Sequence, residues 1–363
     1  MNIVLVCDAK LPVYAYGGTE RVVWDLARSL SDMGHRVRLL AAQGTICSFA
    51  DVSYVDRQRS LKQQIPDNTD VVHFHNRPDF DPDVDFLPYL YTQHGNETAP
   101  HDMPINSVFV SHNHARRFGV DQFVHNGLDW TAYGEADLRK PRQWLHFLGN
   151  AAWKVKNLAG AIQVARDAGE ILAVLGGYRL NFKRGFRLTL SPRVKFFGMV
   201  GGQQKMDLLK LSRGLIFPVI WDEPFGLAVI ESLYFGCPVF ASTRGSLPEL
   251  VTKDTGYLSN DLRQLSQAVR DRAFDPEACH QRAVSDFSAH RMATDYLKKY
   301  QQVVAGNALS NQRPHRAPTT LSSDAVAADS VAAVSVAPAS VAADSLRADP
   351  VISNAASSHS HSR

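Results

Sequence analysis

The chain has 363 residues, 45% of them hydrophobic and 21% charged, which is enough for two globular domains and excludes a wholly disordered protein. Its net charge is only +3, so no strong field draws it to nucleic acid, and no patch of basic residues interleaved with aromatics is read; weak attraction to an anionic membrane surface stays open. Cys7, Cys47, Cys237 and Cys279 lie far apart without a CxxC pair, which suggests buried thiols in a reducing cytosol rather than a zinc site or a disulfide framework.

"NIVLVCD" at the start is a short β-branched run, too short for the core of a signal peptide and without a basic segment before it. No apolar run of about 18 residues occurs elsewhere, so no membrane-spanning helix is expected. "TERVVWDLARSLSDMGHRVRLLA" follows with helical spacing through Val22, Val23, Leu26 and Leu30. Gly34 stops that helix, and "RVRLLA" reads as a second strand. This βαβ unit implies a parallel α/β domain, continued by "DVVHFH" (70–75), "LPYLYTQ" (87–93) and "SVFVS" (107–111).

The pattern restarts after about residue 140, with "WLHFLG" as strand, "NLAGAIQVARDAG" as helix and "ILAVLGG" as strand. "RVKFFGMV", "GLIFPVI" and "PVFAS" supply later strands, with a helix at "QQKMDLLKLS". The expected organisation is an α/β first domain over 1–140, an α/β second domain over 141–286 and an amphipathic closing helix over 287–304. Residues 305–363 are rich in Ala, Ser, Val, Asp and Pro, lack Phe, Tyr, Trp and Met, and are expected to be a low-complexity disordered tail.

Chemistry concentrates in "WDEPFGLAVIESLYFGCPV", where a buried strand runs into a loop and then a helix. Glu223 in the loop and Glu231 on the helix therefore stand at the carboxyl end of a parallel strand, where α/β sheets place ligands. Gly226 lets a ligand approach the helix entrance, whose free amides favour an anion such as a phosphate. Glu231 can then accept from the paired hydroxyls of a ribose, and Glu223 from those of a sugar. The plainer alternative is one solvated Glu and one Glu favoured by the helix dipole.

The string "EPFGLAVIE", followed by "SLYFGCPVFAS" and "GSLPELV", resembles the signature of the retaining glycosyltransferases of family 4. "YGGTERVVWDLARSLSDMGHRV" and "HNGLD" extend the resemblance across about residues 1–304. The resemblance implies a GT-B fold, two Rossmann-like domains facing each other across a cleft that binds a nucleotide-sugar donor. It implies that Glu223 contacts the donor sugar and Glu231 the ribose, with Phe225, Gly226 and Leu227 lining the donor between them. Gly17 and Gly18 would bring backbone amides to the diphosphate, and Gly198 and Val200 would hold the base through their backbone; a core strand ending in a turn gives the same pattern at the last two.

One departure stands out. Where the family has an Arg after the glycine that ends "WLHFLG", this chain has Asn150, and the nearby lysines are Lys154 and Lys156. The family's pattern favours Lys156 on the diphosphate, with Lys154 as a substitute for the lost charge; two solvated lysines are the plain alternative. A histidine near the position of His94 is also usual, close to the reacting sugar. His73 and His75 share one strand face with three readings open: a metal site, a hydrogen-bonded structural role, and a place in the cleft beside His94.

The implied activity is transfer of a UDP- or GDP-activated sugar with retention, with no metal and no cofactor, the catalytic group comprising Glu223, His94 and Lys156. A degenerate relative that binds the nucleotide sugar without turnover is the rival reading. Polysaccharide biosynthesis in the cytoplasm, with room for peripheral attachment at the inner membrane face, is the family's usual setting. The expected acceptor is a glycan, lipid or small molecule, with a surface polysaccharide or a lipid-linked glycan as the family's usual case, met by first-domain loops within 76–106.

Overall fold

A computed structural model describes residues 1–13, 17–84, 86–97, 101–181 and 187–316. The first sheet has six parallel strands in the order β3-β2-β1-β4-β5-β6: β1 (Asn2–Cys7), β2 (Arg36–Ala41), β3 (Asp51–Tyr54), β4 (Val71–Phe74), β5 (Tyr89–Gln93) and β6 (Ser107–Phe109). The β-branched β1 lies at the centre, with Ile3 paired to Val37 on one side and Val71 on the other. Its near-continuous apolar run is what a strand covered on both faces requires. Between β1 and β2 runs α1 (Gly18–Asp32), which buries the predicted stripe of Val22, Val23, Leu26 and Leu30.

The second sheet is also six-stranded and parallel, in the order β11-β8-β7-β12-β13-β14. It comprises β7 (Trp144–Leu148), β8 (Leu172–Leu175), β11 (Val194–Phe196), β12 (Ser212–Phe217), β13 (Val239–Ala241) and β14 (Gly256–Leu258), with the short antiparallel pair β9 (Leu180–Asn181) and β10 (Arg187–Leu188) between β8 and β11. Helices α3 (Leu158–Asp167), α4 (Gly202–Lys210), α5 (Leu227–Tyr234), α7 (Leu262–Asp271) and α8 (Pro276–Asp286) connect its strands or cover it. The short helices α2 (His112–Arg116) and α6 (Leu247–Leu250) stand at the junction with the first domain. Sequence periodicity did not reveal β3, β14, α7 or α8; β3 is a partly exposed edge strand, and the edge strand β14 is three residues long.

The last helix, α9 (Ala289–Val304), leaves the second domain and packs on the first. Met292, Ala293, Tyr296, Tyr300 and Val303 join the core formed by α1 and β1. The crossing is tight: Leu128 donates to the Phe287 carbonyl at 3.0 Å and Ala289 to Leu128 at 2.9 Å. A Cβ at Gly127 would stand 2.1 Å from the Ser288 carbonyl oxygen, which is the physical reason for a glycine in "HNGLD".

The composition reading of 305–363 as disordered fails for its first part. Leu309 is 4% exposed and donates to Asn106 Oδ1 at 2.9 Å, Met103 donates to the Pro314 carbonyl at 2.8 Å, and His315 donates to the Phe118 carbonyl at 3.0 Å. Arg313 binds Asp81 at 2.7 Å and Asp83 at 2.8 Å. Specific backbone pairing and one buried leucine hold this strap on the first domain, an arrangement that average composition does not register. Residues 317–363 lie outside the described residues.

Candidate functional site

The loop between β12 and α5 carries Glu223 to the junction of the two domains. On either side of it the first domain takes hold: Asn96 donates to the Asp222 carbonyl at 2.9 Å, and Ser111 donates to the Pro224 carbonyl at 2.7 Å. Behind it, Ser246 N donates to the Glu223 carbonyl at 3.0 Å. A Cβ at Gly245, whose φ is +62°, would meet Glu223 backbone at 2.3 Å, so only glycine lets this turn approach so closely.

Glu223 is 5% exposed and accepts a two-pronged contact from Lys156 Nζ, 2.9 Å to Oε1 and 2.7 Å to Oε2. Trp221 Nε1 donates to the same Oε2 at 2.7 Å, and the Lys156 ammonium lies 4.8 Å from the centre of the Trp221 ring. A fully desolvated carboxylate is costly unless a cation and donors compensate it, and both do so here. Of the two candidate lysines, Lys156 reaches the acid, whereas Lys154 is exposed.

Gly226, with φ +99°, turns the chain into α5, and Glu231 follows on the second turn. Glu231 is 2% exposed. Its Oε1 receives Arg21 Nη1 at 2.6 Å, the Tyr133 hydroxyl at 2.6 Å and the Lys205 ammonium, while Oε2 has Arg21 Nη2 at 3.4 Å. Burial works against the charged carboxylate, yet Arg21 and Lys205 outweigh it and hold Glu231 well below the usual carboxylate range. Burial lowers the Lys205 ammonium and, with Glu231 beside it, pushes the Tyr133 hydroxyl well up. The donors crowd one oxygen, so Oε2 keeps lone-pair capacity for a ligand hydroxyl.

Across this junction the glycine turn of the first domain meets the start of α5: a Cβ on Gly18 would lie 3.6 Å from Leu227 Cδ1. Gly17 stands at the N-cap of α1, and its carbonyl accepts from Arg21 Nε at 2.9 Å, which aims the guanidinium at Glu231. Phe225 is buried against the rings of His125 and Phe287. The final acid of "GSLPELV", Glu249, accepts from His112 N at 2.9 Å, Asn113 N at 2.6 Å and His125 Nε2 at 3.0 Å, a third tie between the domains. Burial raises its pKa, but these hydrogen bonds prevail and hold the carboxylate below its usual range.

Asn150, Gly198 and Val200 form a separate group at the ends of β7 and β11. Asn150 Oδ1 accepts from Ala152 N at 3.0 Å, which engages the side chain in its own turn. The Gly198 carbonyl accepts from Gly176 at 2.7 Å and from Gly177 at 3.2 Å, and Val200 is buried in the core cluster of the second domain. His94 is half-buried, with Nε2 2.9 Å from His75 Nδ1, and desolvation pushes its pKa down to about 4. His73 has both ring nitrogens engaged, with the Tyr300 hydroxyl at 2.8 Å and Thr92 Oγ1 at 2.7 Å, which makes it a structural histidine rather than a metal ligand.

Sequence reading missed Arg21, Tyr133, Lys205, Trp221 and Asn96. Arg21 stands inside the quoted "GGTER" string, and its distance of four residues from Gly17 was a usable signal. Tyr133 and Lys205 have no local signal, because their partner lies far away in the chain.

Two doubly wound parallel sheets that join through such a junction, with the last helix returning to the first domain, define the GT-B fold of glycosyltransferases. Residues 136–282 match the model of the family described as glycosyl transferases group 1. The chain is similar in structure to a glycosyltransferase involved in avilamycin A biosynthesis, with TM-score 0.67 and 22% identity over 84% of this chain and 98% of that one. In sequence it is 35% identical over 97 residues to a D-inositol 3-phosphate glycosyltransferase of Streptomyces avermitilis, covering 26% of this chain and 21% of the relative. It is 28% identical over 145 residues to a GDP-mannose-dependent alpha-(1-6)-phosphatidylinositol dimannoside mannosyltransferase of Mycobacterium tuberculosis, covering 39% of this chain and 37% of the relative. The matched stretches thus span well under half of either curated relative.

Proposed function

We propose that the protein is a glycosyltransferase that moves a sugar from a UDP- or GDP-sugar to a glycan or lipid-linked acceptor, with retention of configuration. The observation that carries this reading is the pair of buried carboxylates on either side of the Gly226 turn, each held by a cation and both at the domain junction. Glu231 Oε2 would accept from a ribose hydroxyl and Glu223 from the donor sugar. Lys156 would shift from Glu223 toward the departing diphosphate, and with the amides that open α5 it would offset the charge developing there without a metal ion. Among the described residues no side chain at the junction is an evident sugar-attacking nucleophile, so the acceptor would attack on the face the diphosphate leaves, its proton passing to a phosphate oxygen. The phosphoinositol acceptors in the names of the two curated relatives favour a lipid-linked or polyol acceptor here as well.

A second reading rests on Asn150, whose amide closes its own turn instead of presenting charge: the protein binds the nucleotide sugar without turning it over. A thermal-shift screen with UDP, GDP, ADP and their sugars, followed by product analysis with the stabilising donor, separates these. A ligand at a hundred times its Kd adds about 2.7 kcal/mol to the folded state. Stabilisation with turnover supports transfer, and stabilisation without turnover supports the binding-only reading. If no nucleotide stabilises the protein, both fail.

A further inference from the structure

Glu231 is surrounded by more positive charge than it can balance. Arg21 and the Lys205 ammonium both contact Oε1 of this single carboxylate, and Tyr133 adds only a neutral hydroxyl. Asp25, a further acid that acts on Arg21, accepts from Asp129 N at 3.0 Å; burial pushes it up to about 7, so near neutral pH it is only partly charged. A surplus cation held away from water is costly, and a bound anion removes that cost.

Of the two cations, Arg21 is the one a ligand can reach: its side chain is 25% exposed, against 11% for Lys205. Its guanidinium is a planar fork of N–H donors. Nε is engaged by the Gly17 carbonyl at 2.9 Å, and Nη1 by the Tyr133 hydroxyl at 2.8 Å and Glu231 Oε1 at 2.6 Å. Nη2 makes one long contact, 3.4 Å to Oε2, and so keeps donor capacity. Arg21 also follows the Gly17–Gly18 turn, where a Cβ on Gly18 would stand 3.6 Å from Leu227 at the start of α5. The other groups near the acids are less suited: Lys156 is bound to both oxygens of Glu223, and Asn150 brings no charge.

We propose that Arg21 is a binding residue for the donor diphosphate, its Nη2 donating to a phosphate oxygen while Nη1 stays on Glu231. This rests on the glycosyltransferase reading of the junction and adds to it a cation from the first domain. A ribose whose hydroxyls meet Glu231 Oε2 carries the phosphates on the same ring, and Nη2 already lies beside that oxygen, so one nucleotide satisfies both groups. A diphosphate carries more than one negative charge, which Lys156 alone does not offset, and a hydrogen bond between two charged groups is about twice as strong as a neutral one. Arg21 stands on α1 and Glu231 on α5, so the phosphates would be held between the two domains.

The test compares a nucleoside diphosphate with its nucleoside, which has the base and ribose but no phosphate. UDP with uridine, and GDP with guanosine, are titrated by saturation-transfer NMR and calorimetry into the full chain and into Arg21→Gln. In that variant Glu231 keeps Lys205 and Tyr133, so the fold is expected to persist; Arg21→Lys, which retains a charge but loses the fork, is the second variant and serves where the first does not fold. Arg21→Gln is expected to weaken the diphosphate about 10- to 100-fold, the scale of one hydrogen bond to a charged group, and the nucleoside less than about threefold, with Arg21→Lys in between. A role confined to neutralising Glu231 would weaken both ligands alike. Equal losses, or an unchanged diphosphate affinity, overturn the inference and leave the glycosyltransferase reading standing, whereas a parent chain that binds neither diphosphate overturns both.

Discussion

Replacing Glu231 with Gln keeps the shape and an acceptor oxygen but removes the carboxylate charge that bridges Arg21 and Lys205. The side chains of Glu231, Lys205 and Arg21 are 3%, 11% and 25% exposed, so little solvent is available to take over. Breaking a buried pair by removing one partner costs about 3–5 kcal/mol, and the retained amide hydrogen bonds place this case near the lower figure, about 3 kcal/mol. At 2–4 °C per kcal/mol for domains of this size, the midpoint should fall by roughly 6–12 °C. Burial already lowers Lys205, and without Glu231 it falls further. A base whose folded pKa is depressed destabilises the fold below its unfolded value of about 10.4, and the penalty eases as pH rises toward that value, by up to about 1.4 kcal/mol per unit. The variant's deficit should therefore be smaller near pH 10 than at pH 7 without vanishing, because Arg21 stays charged. Guanidinium and thermal unfolding followed by circular dichroism at both pH values read this directly. A variant as stable as the parent, or a deficit that is flat or grows with pH, would refute the reasoning.

Lys156→Ala strips Glu223 of its cation; turnover of the stabilising donor should fall by about a hundredfold, the usual scale for one lost charge-stabilising group, as measured by initial rates with the identified nucleotide sugar. Burial pushes Asp25 up to about 7, so between about pH 4 and 7 the folded state holds a proton that the unfolded chain releases, and stability is lost as pH rises through that window. Asp25→Asn should remove the loss, stabilising the fold by up to about 4 kcal/mol at pH 8 and far less near pH 4, read from urea midpoints at the two pH values. Ending the chain at residue 305 exposes the surface under Leu309 and frees the partners of Arg313, which should cost about 2–3 kcal/mol, while ending it at 316 should cost nothing measurable by the same assay.

The two-sheet architecture was legible because each strand–helix unit is a local pattern. β1 shows its burial as an unbroken apolar run from Ile3 to Cys7, and α1 shows its own as a 3.6-residue stripe. Missed elements were those with weak local contrast, such as the half-exposed β3. The pair Glu223 and Glu231 was visible for the same reason: a loop, a positive-φ glycine and two helical turns fix their relation within one short stretch.

What surrounds those acids belongs to the tertiary structure. Arg21 and Tyr133 lie 210 and 98 residues from Glu231 in the chain; the glycine turn before Arg21 hints at a site, but nothing local marks either residue as a partner of Glu231. A charge this deeply buried is tolerated only where distant cations converge, and that convergence is set by the docking of the domains. The strap around Leu309 follows the same logic, since local sequence sets which groups a segment carries, and only the packed chain determines what they meet.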